Sequence, residues 1–413
     1  VILGGGTGGT LVANRLRRMY TRHQAEIVVV DQNDRHLYQP GLLFVPFGRT
    51  GTEGLVRLRP SQFHWGIRFV ETVVDNVSIA EGRVHLAKGM VLDYDVLVVA
   101  SGAVLVPEET EGLTGAGWME KVFTFYSPEG AAGLARAMSS FEGGRLVVNV
   151  VDMPIKCPVA PLEFCFLADW HLRRRGIRRR VELTYVTPLD GAFTKPVASE
   201  RLGGLLKKKG IELVTEFNTG EVDGAGGRLI GYDGREVGFD LAVVVPLHGG
   251  APYVGRSPGL GDELNFVPTD AHTLQSKAAP NVFAIGDATD LPASKAGSVA
   301  HFEGEVLARN VRHFLSTEPL EPGFDGHTNC FIETGFHRAL LIDFNYDTEP
   351  LPGRYPGSVG LPLLRESRLN HLAKLGFQSL YWHALLPARP VPGIGSTMPV
   401  SGKTRAAVGG GKD

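Results

Sequence analysis

The sequence predicts an α/β protein built from Rossmann-like dinucleotide-binding units, and three features carry that prediction. The first is Gly4-Gly5-Gly6-Thr7-Gly8-Gly9, a glycine-rich turn between a short buried strand and a helix, with an acid about 20 residues further on. The second is a pair of buried strands, within 94–103 and 281–288, that each run into a small-residue turn. The third is a further strand–helix–strand–helix series that begins at Arg145. Composition agrees. The 413 residues suffice for several domains at roughly 100–200 residues each. Apolar content of 43% and charged content of 21% exclude a wholly disordered chain. A formal charge of −2 excludes a nucleic-acid binder that works through bulk positive charge. The 53 glycines suit tight turns and close backbone approaches to a ligand.

The first unit reads as strand Val1–Leu3, helix Thr10–Tyr20 and strand Ile27–Val30 ending at Asp31. Its glycines, Gly4, Gly6, Gly8 and Gly9, let the backbone approach a pyrophosphate whose charge rests on the helix N-terminus, and Asp31 accepts from a ribose hydroxyl. The two later segments, Tyr94–Ala103 and Asn281–Ala288, resemble the secondary FAD signatures of the two-dinucleotide-domain flavoprotein disulfide reductases. That resemblance implies FAD as the cofactor. It also implies contacts from Gln39, Pro40, Ser101, Gly102 and Gly286, with the Asp287 carboxylate taking a ribityl hydroxyl. The implied architecture is two Rossmann-like domains in tandem, the FAD domain being split. Residues 1–110 and 251–315 form that domain, 111–250 the inserted second domain, 316–398 a C-terminal quinone- and membrane-associated region, and 399–413 a flexible tail.

The second unit reads as strand Arg145–Val151, helix Pro161–Arg175, strand Val181–Thr187 and helix Leu202–Lys209. Its first turn, Val151 to Pro161, contains no glycine, and no basic residue closes its second strand, so NAD(P)H is disfavoured as reductant. Cys157 occupies that turn instead. A thiol at a helix N-terminus, beside Lys156, is expected to favour the reactive thiolate. Cys330 is far away in sequence, Cys165 reads as core, and no C-x-x-C exists. Two distant cysteines on opposite sides of a flavin are the redox arrangement that remains.

Lys156-Cys157-Pro158 with Ala160-Pro161 and Glu163-Phe164 resembles the C-x-x-A-P-x-E-F segment of the sulfide:quinone oxidoreductases. Cys330-Phe331 is similar to that family's second redox cysteine, and Ser294-Lys295-Ala296-Gly297 to its K-x-G stretch. The resemblance implies that sulfide is oxidised to persulfide or polysulfide on Cys157 and Cys330, with electrons passing through FAD to quinone. It implies Lys295 near the flavin's pyrimidine end. Glu163 is a candidate acid/base, or else a first-turn carboxylate stabilised by the helix dipole. Two departures stand out: 122–127 lacks the third cysteine of many members, and 187–193 lacks their histidine.

Prolines 350, 352, 356 and 362 break the chain before Arg365–Leu386, which reads as amphipathic helix. Leu369, Leu372, Leu375, Phe377, Leu380, Tyr381, Trp382, Leu385 and Leu386 supply the apolar face, with Arg365, Arg368, Lys374 and Arg389 flanking it. Phe331 and Tyr381 are the candidate quinone contacts. No spanning helix, signal peptide or metal site is read, and three cysteines are too few for a disulfide framework. The arginines of 171–180 read as a solvated face. The expectation is a homo-oligomer held peripherally on the cytoplasmic face of the plasma membrane. The competing readings are a type-2 NADH:quinone dehydrogenase, the flavin subunit of a sulfide dehydrogenase, and a flavin-binding persulfide carrier without quinone turnover.

Overall fold

In the computed structural model, which describes residues 1–391 and 393–404, two five-stranded parallel sheets organise the chain. The first has the order Val282–Ala284, Leu97–Val99, Ile2–Leu3, Ile27–Asp31, Ile67–Glu71. Four of its strands come from the first hundred residues and one from far downstream, so the sheet is closed by chain that returns after an insertion. Its central strands are short, fully buried apolar runs, as parallel strands covered on both faces must be. Helix Thr7–Met19 packs beside helix Gly297–Leu315 through Val12, Ala13, Leu16, Val306, Leu307 and Val311.

The glycine turn is fixed by close contact. Gly4 has φ +100°, and a Cβ there would lie 2.4 Å from the Ala100 carbonyl oxygen. A Cβ on Gly9 would lie 1.8 Å from the Gly4 oxygen. These approaches let the helix begin at Thr7, one turn earlier than hydrophobic periodicity indicates.

The second sheet runs Val122–Phe123, Leu241–Val245, Gly144–Val150, Val181–Val186, Glu212–Val214. Helix Ala160–Arg174 follows its central strand and is buried without interruption from Ala160 to Trp170. A helix buried all round needs cover on both sides. The sheet supplies one side, and the antiparallel hairpin Thr328–Gly335/Arg338–Phe344 supplies the other. At its end, Gly335 sits at φ +76° so close to Trp170 that a Cβ would come within 2.8 Å of the Trp170 Cβ.

The C-terminal helix is Arg368–Leu380, capped by the Ser367 hydroxyl accepting from the Asn370 N–H at 3.0 Å, and it runs into a wider turn over Tyr381–Leu385. The expected single apolar face divides here. Leu369 and Leu372 are 53% and 63% exposed, whereas Tyr381, Trp382, Leu385 and Leu386 are buried. Two further expectations are corrected. Arg173 and Arg178 are not simply solvated, because both hold the buried Asp169 carboxylate, at 3.0 and 2.8 Å. Within the stretch read as a flexible tail, Lys403 pairs with Asp343 with both side chains wholly buried; residues 405–413 lie outside the described chain.

Gly9→Ala is expected to destabilise the first sheet by about 1–3 kcal/mol through overpacking and to lower bound flavin. Thermal melting and flavin absorbance per chain check it; wild-type values of both would contradict the contact.

Candidate active site

A cleft of about 410 Å³ runs from the glycine turn, past Ser101 and Gly102, to Asp287, Lys295 and Cys157. At its outer end the Asp31 Oδ2 accepts from the Gly5 N–H at 2.7 Å and pairs with the Arg59 guanidinium at 2.9 Å. Arg59 is itself buried and donates to the Asn33 and Arg35 carbonyls, so the carboxylate is held rigidly against the turn. Nothing lies within 4 Å of a Cβ built on Gly6, which leaves the open cradle that a pyrophosphate fills. At the inner end the Asp287 carboxylate lines the cleft without a hydrogen bond among the described residues. Gln39 and Pro40 line it from the side. The residues present therefore fit FAD.

Cys157 comes into this cleft from the glycine-free turn of the second sheet. Its backbone sits at φ +48°, pinned by its N–H on the Lys295 carbonyl at 2.7 Å and its carbonyl on the Ala160 N–H at 2.8 Å. Lys156 lines the cleft beside it, while the Lys295 ammonium is committed to the Asp287 and Thr289 carbonyls at 3.0 and 2.7 Å. Cys330 is buried on the hairpin, close enough for the Cys157 charge to act on its thiol. Burial pushes the Cys157 thiol up to about 12, helped by Glu163 and opposed by Lys374 and the Ala160 N–H. Burial likewise holds Cys330 well above the usual thiol range. The expectation of a favoured thiolate is thus corrected: the helix end acts in the predicted direction, but desolvation outweighs it.

Glu163 stands beside the thiols, fully buried. It accepts the Glu333 N–H at 2.7 Å and is ion-paired with Lys374, whose ammonium also donates to the Phe331 carbonyl at 3.0 Å. Burial raises Glu163 above the usual carboxylate range against the pull of Lys374. Burial lowers the Lys374 ammonium, but Glu163, Glu333 and Cys157 raise it more.

Residues 1–148 match the pyridine nucleotide-disulphide oxidoreductase family. The chain is 28% identical over 396 residues to the mitochondrial sulfide:quinone oxidoreductase of Dictyostelium discoideum, covering 94% of this chain and 86% of that one. Identity to the Mus musculus protein of the same name is 27% over 358 residues, covering 85% and 79%. The solved sulfide:quinone oxidoreductase of Aquifex aeolicus superposes with a TM-score of 0.76 at 17% identity, covering 92% of this chain and 89% of that one. The chain is a relative of the sulfide:quinone oxidoreductases. An Arabidopsis thaliana protein named alternative NAD(P)H-ubiquinone oxidoreductase C1 is also similar, at 26% over 366 residues, covering 78% and 68%.

The chain is an FAD-dependent oxidoreductase, and the residues that line the cleft fit that cofactor. Of the residues singled out in the sequence, Cys157, Glu163, Asp31, Asp287, Lys295, Gly4, Gly6, Gly8, Gly102 and Gly286 line one cleft, while Gly9 packs against the Gly4 carbonyl. Cys330 and Phe331, adjacent on one strand, face opposite sides of the hairpin; Phe331 packs towards Leu341, Tyr355 and Leu363. Tyr381 is placed differently from expectation. Its buried hydroxyl is held by the Thr7 hydroxyl and His36 Nε2, each at 2.7 Å, at the dinucleotide turn. Lys374, read as a flanking cation of a surface helix, is instead the partner of Glu163. Arg59 and His36 carried no signal in the sequence beyond their residue type. Among the described residues no group of His, Cys, Asp and Glu is arranged to hold a metal.

Lys374→Met leaves the Glu163 carboxylate buried and unpaired, which should cost about 3–5 kcal/mol. Adding Glu163→Gln should recover most of the loss. Denaturant titration of the two variants measures both, and additive losses would refute the pairing.

Proposed function

We propose that this chain oxidises sulfide on a Cys157–Cys330 pair and passes the electrons, through FAD, to a membrane quinone. What supports the reading is that Cys330 on the C-terminal hairpin and Cys157 in the turn of the second sheet pack on one apolar cluster, close enough for charge on one to act on the other and beside the Glu163–Lys374 pair. Bound FAD supplies a carrier that takes two electrons and hands them on. The chain's own residues do the rest. Gly4, Gly6, Gly8, Gly9, Asp31, Gln39, Pro40, Ser101, Gly102, Gly286 and Asp287 hold the dinucleotide. Hydrosulfide attacks the disulfide of the oxidised pair; one cysteine takes the new S–S bond as a persulfide, and the other leaves as thiolate. Glu163 accepts the persulfide proton, and the Lys374 ammonium beside it stabilises the negative sulfur. Once the thiolate and persulfide have given up two electrons and closed as a sulfur bridge between the cysteines, a further hydrosulfide would open it in the same way and lengthen the bound sulfur to polysulfide.

Leu369, Leu372 and Leu375 project from the C-terminal helix near Arg365 and Arg368, an arrangement suited to a lipid–water interface. No helix among the described residues is long and apolar enough to cross a membrane. Peripheral attachment by this face brings the enzyme to its lipid-soluble acceptor, with Phe331 the candidate quinone contact. The Tyr381 hydroxyl is better assigned to the cofactor end.

A second reading, an NADH:quinone dehydrogenase, is favoured only by the similarity to the Arabidopsis protein. Anaerobic titration of the flavin separates the two. Sulfide is expected to bleach it and NADH to leave it oxidised; bleaching by NADH alone would replace the proposed donor. Cys157→Ser and Cys330→Ser should each keep FAD and lose bleaching by sulfide. Full bleaching in either variant removes the cysteine mechanism. Leu369→Glu with Leu372→Glu should abolish co-sedimentation with liposomes at unchanged flavin content, and undiminished sedimentation would rule out this face as the anchor.

A further inference from the structure

Behind Glu163 the structure holds a second set of buried ionisable groups that the proposed chemistry does not yet use. Glu333 lies on the hairpin, two residues past Phe331. Both of its carboxylate oxygens contact His371 Nδ1, at 2.8 and 2.9 Å, and both side chains are buried. The His371 ring packs edge-on against His337, at 5.5 Å between centroids, and His337 is exposed at the hairpin tip. On the inner side the Glu333 N–H donates to Glu163, and the Lys374 ammonium, bonded to Glu163 and one helical turn from His371, is near enough for its charge to act on the Glu333 carboxylate. These groups line the way from the cysteine pocket to solvent, with Glu163 innermost, Glu333 and His371 in contact behind it, and His337 outside.

A hairpin and a helix can be joined by apolar side chains without desolvating any charge. A carboxylate and an imidazole at this contact are costly unless they act. The need is present on the other side. Oxidation of hydrosulfide in a closed pocket releases a proton that must leave before the next sulfur enters.

We infer that Glu333 and His371 form a proton relay that carries the sulfur substrate's proton from Glu163 to solvent. The inference rests on the sulfide reading above. The persulfide S–H bond breaks and an O–H bond forms on Glu163. The proton passes from Glu163 to the Glu333 carboxylate, with the Lys374 charge beside the path, enters His371 at Nδ1 as Glu333 gives it up, and leaves from Nε2 to solvent; no electrons move in these steps. Glu333 and His371 act through Glu163, so they are positioning residues of the thiol site. The charged and titratable groups that act on them are Glu163 and Lys374 from within, Arg49, and His337 outside. Burial raises the Glu333 carboxyl to about 7, against Lys374 and Arg49, so near neutral pH it both takes up and releases a proton. Below that value it is already protonated and cannot accept; transfer should strengthen as pH rises through it.

The test uses the FAD-loaded full chain and follows the limiting rate of anaerobic flavin bleaching at saturating sulfide, on both sides of neutral pH. Saturation removes the titration of sulfide itself from the profile. Glu333→Gln and His371→Ala should each lower that rate about a hundredfold with little change in half-saturating sulfide. Each should also lose the rise through neutrality, and external imidazole should restore part of the rate to His371→Ala alone. The wild-type rate and profile in either variant overturn the relay. So does a slowed variant that keeps the wild-type profile and ignores imidazole, because that is a structural staple. If Glu333→Gln does not retain FAD, His371→Ala decides the matter by the same readouts. Failure of sulfide to bleach the wild-type flavin overturns the sulfide reading and the relay with it. Bleaching that the variants leave unchanged overturns the relay alone.

Discussion

The Glu163–Lys374 ion pair is the contact at which three separately folded parts of the chain become one site. Glu163 belongs to the helix after the second sheet's central strand, Lys374 to the C-terminal helix, and the groups that complete their bonding, the Glu333 N–H and the Phe331 carbonyl, to the hairpin. Ions removed from water cost several kcal/mol each unless they are paired and fully hydrogen-bonded. None of the three elements can therefore shift without exposing the others to that cost. Cys157 precedes the first element and Cys330 lies on the third. What positions the two sulfurs is thus a polar lock, with the surrounding apolar packing filling space around it.

The same desolvation decides the chemistry of the sulfurs. A thiolate in this pocket meets burial and the Glu163 charge, and the Ala160 N–H and Lys374 offset only part of that. An uncharged sulfur, either a thiol or one half of a disulfide, avoids the penalty altogether. The pocket thus disfavours thiolate on either cysteine. A charge created on sulfur is offset by Lys374, with the Ala160 N–H, which gives that lysine a role beyond holding its partner.

Much of this was legible in the sequence, where the physics is local. The glycine turn was readable because its backbone approaches demand glycine, and Cys157 because it replaces the glycines that a second dinucleotide would require. Both sheets follow from their runs of valine, leucine and isoleucine. What could not be read depends on which face of an element meets which neighbour. Periodicity marks Lys374 as one cation on an amphipathic helix, and only the packing of the hairpin turns it inward. Tyr381 is aromatic on the same stretch, but the wider turn after Leu380 swings its hydroxyl to Thr7 and His36. Arg59 and Lys403 pair with carboxylates that are distant in sequence, and composition offers no hint of such pairings.

The donor question turns on where the N–H groups of the second turn go. A dinucleotide pyrophosphate is held by free backbone donors at a helix N-terminus, which glycines expose. Here the Cys157 N–H is bonded to Lys295, the Ala160 N–H to the Cys157 carbonyl and the Glu163 N–H to Val159, while Pro154, Pro158 and Pro161 have no N–H to offer. The helix itself is buried beneath the hairpin along most of its length. The second unit has the parallel sheet of a dinucleotide-binding domain, but a cysteine stands in its first turn and the N–H groups of Cys157 and Ala160 are already bonded. A fold that elsewhere delivers a nicotinamide thus presents a sulfur after its first strand, which is the physical ground for proposing a sulfur donor rather than NADH.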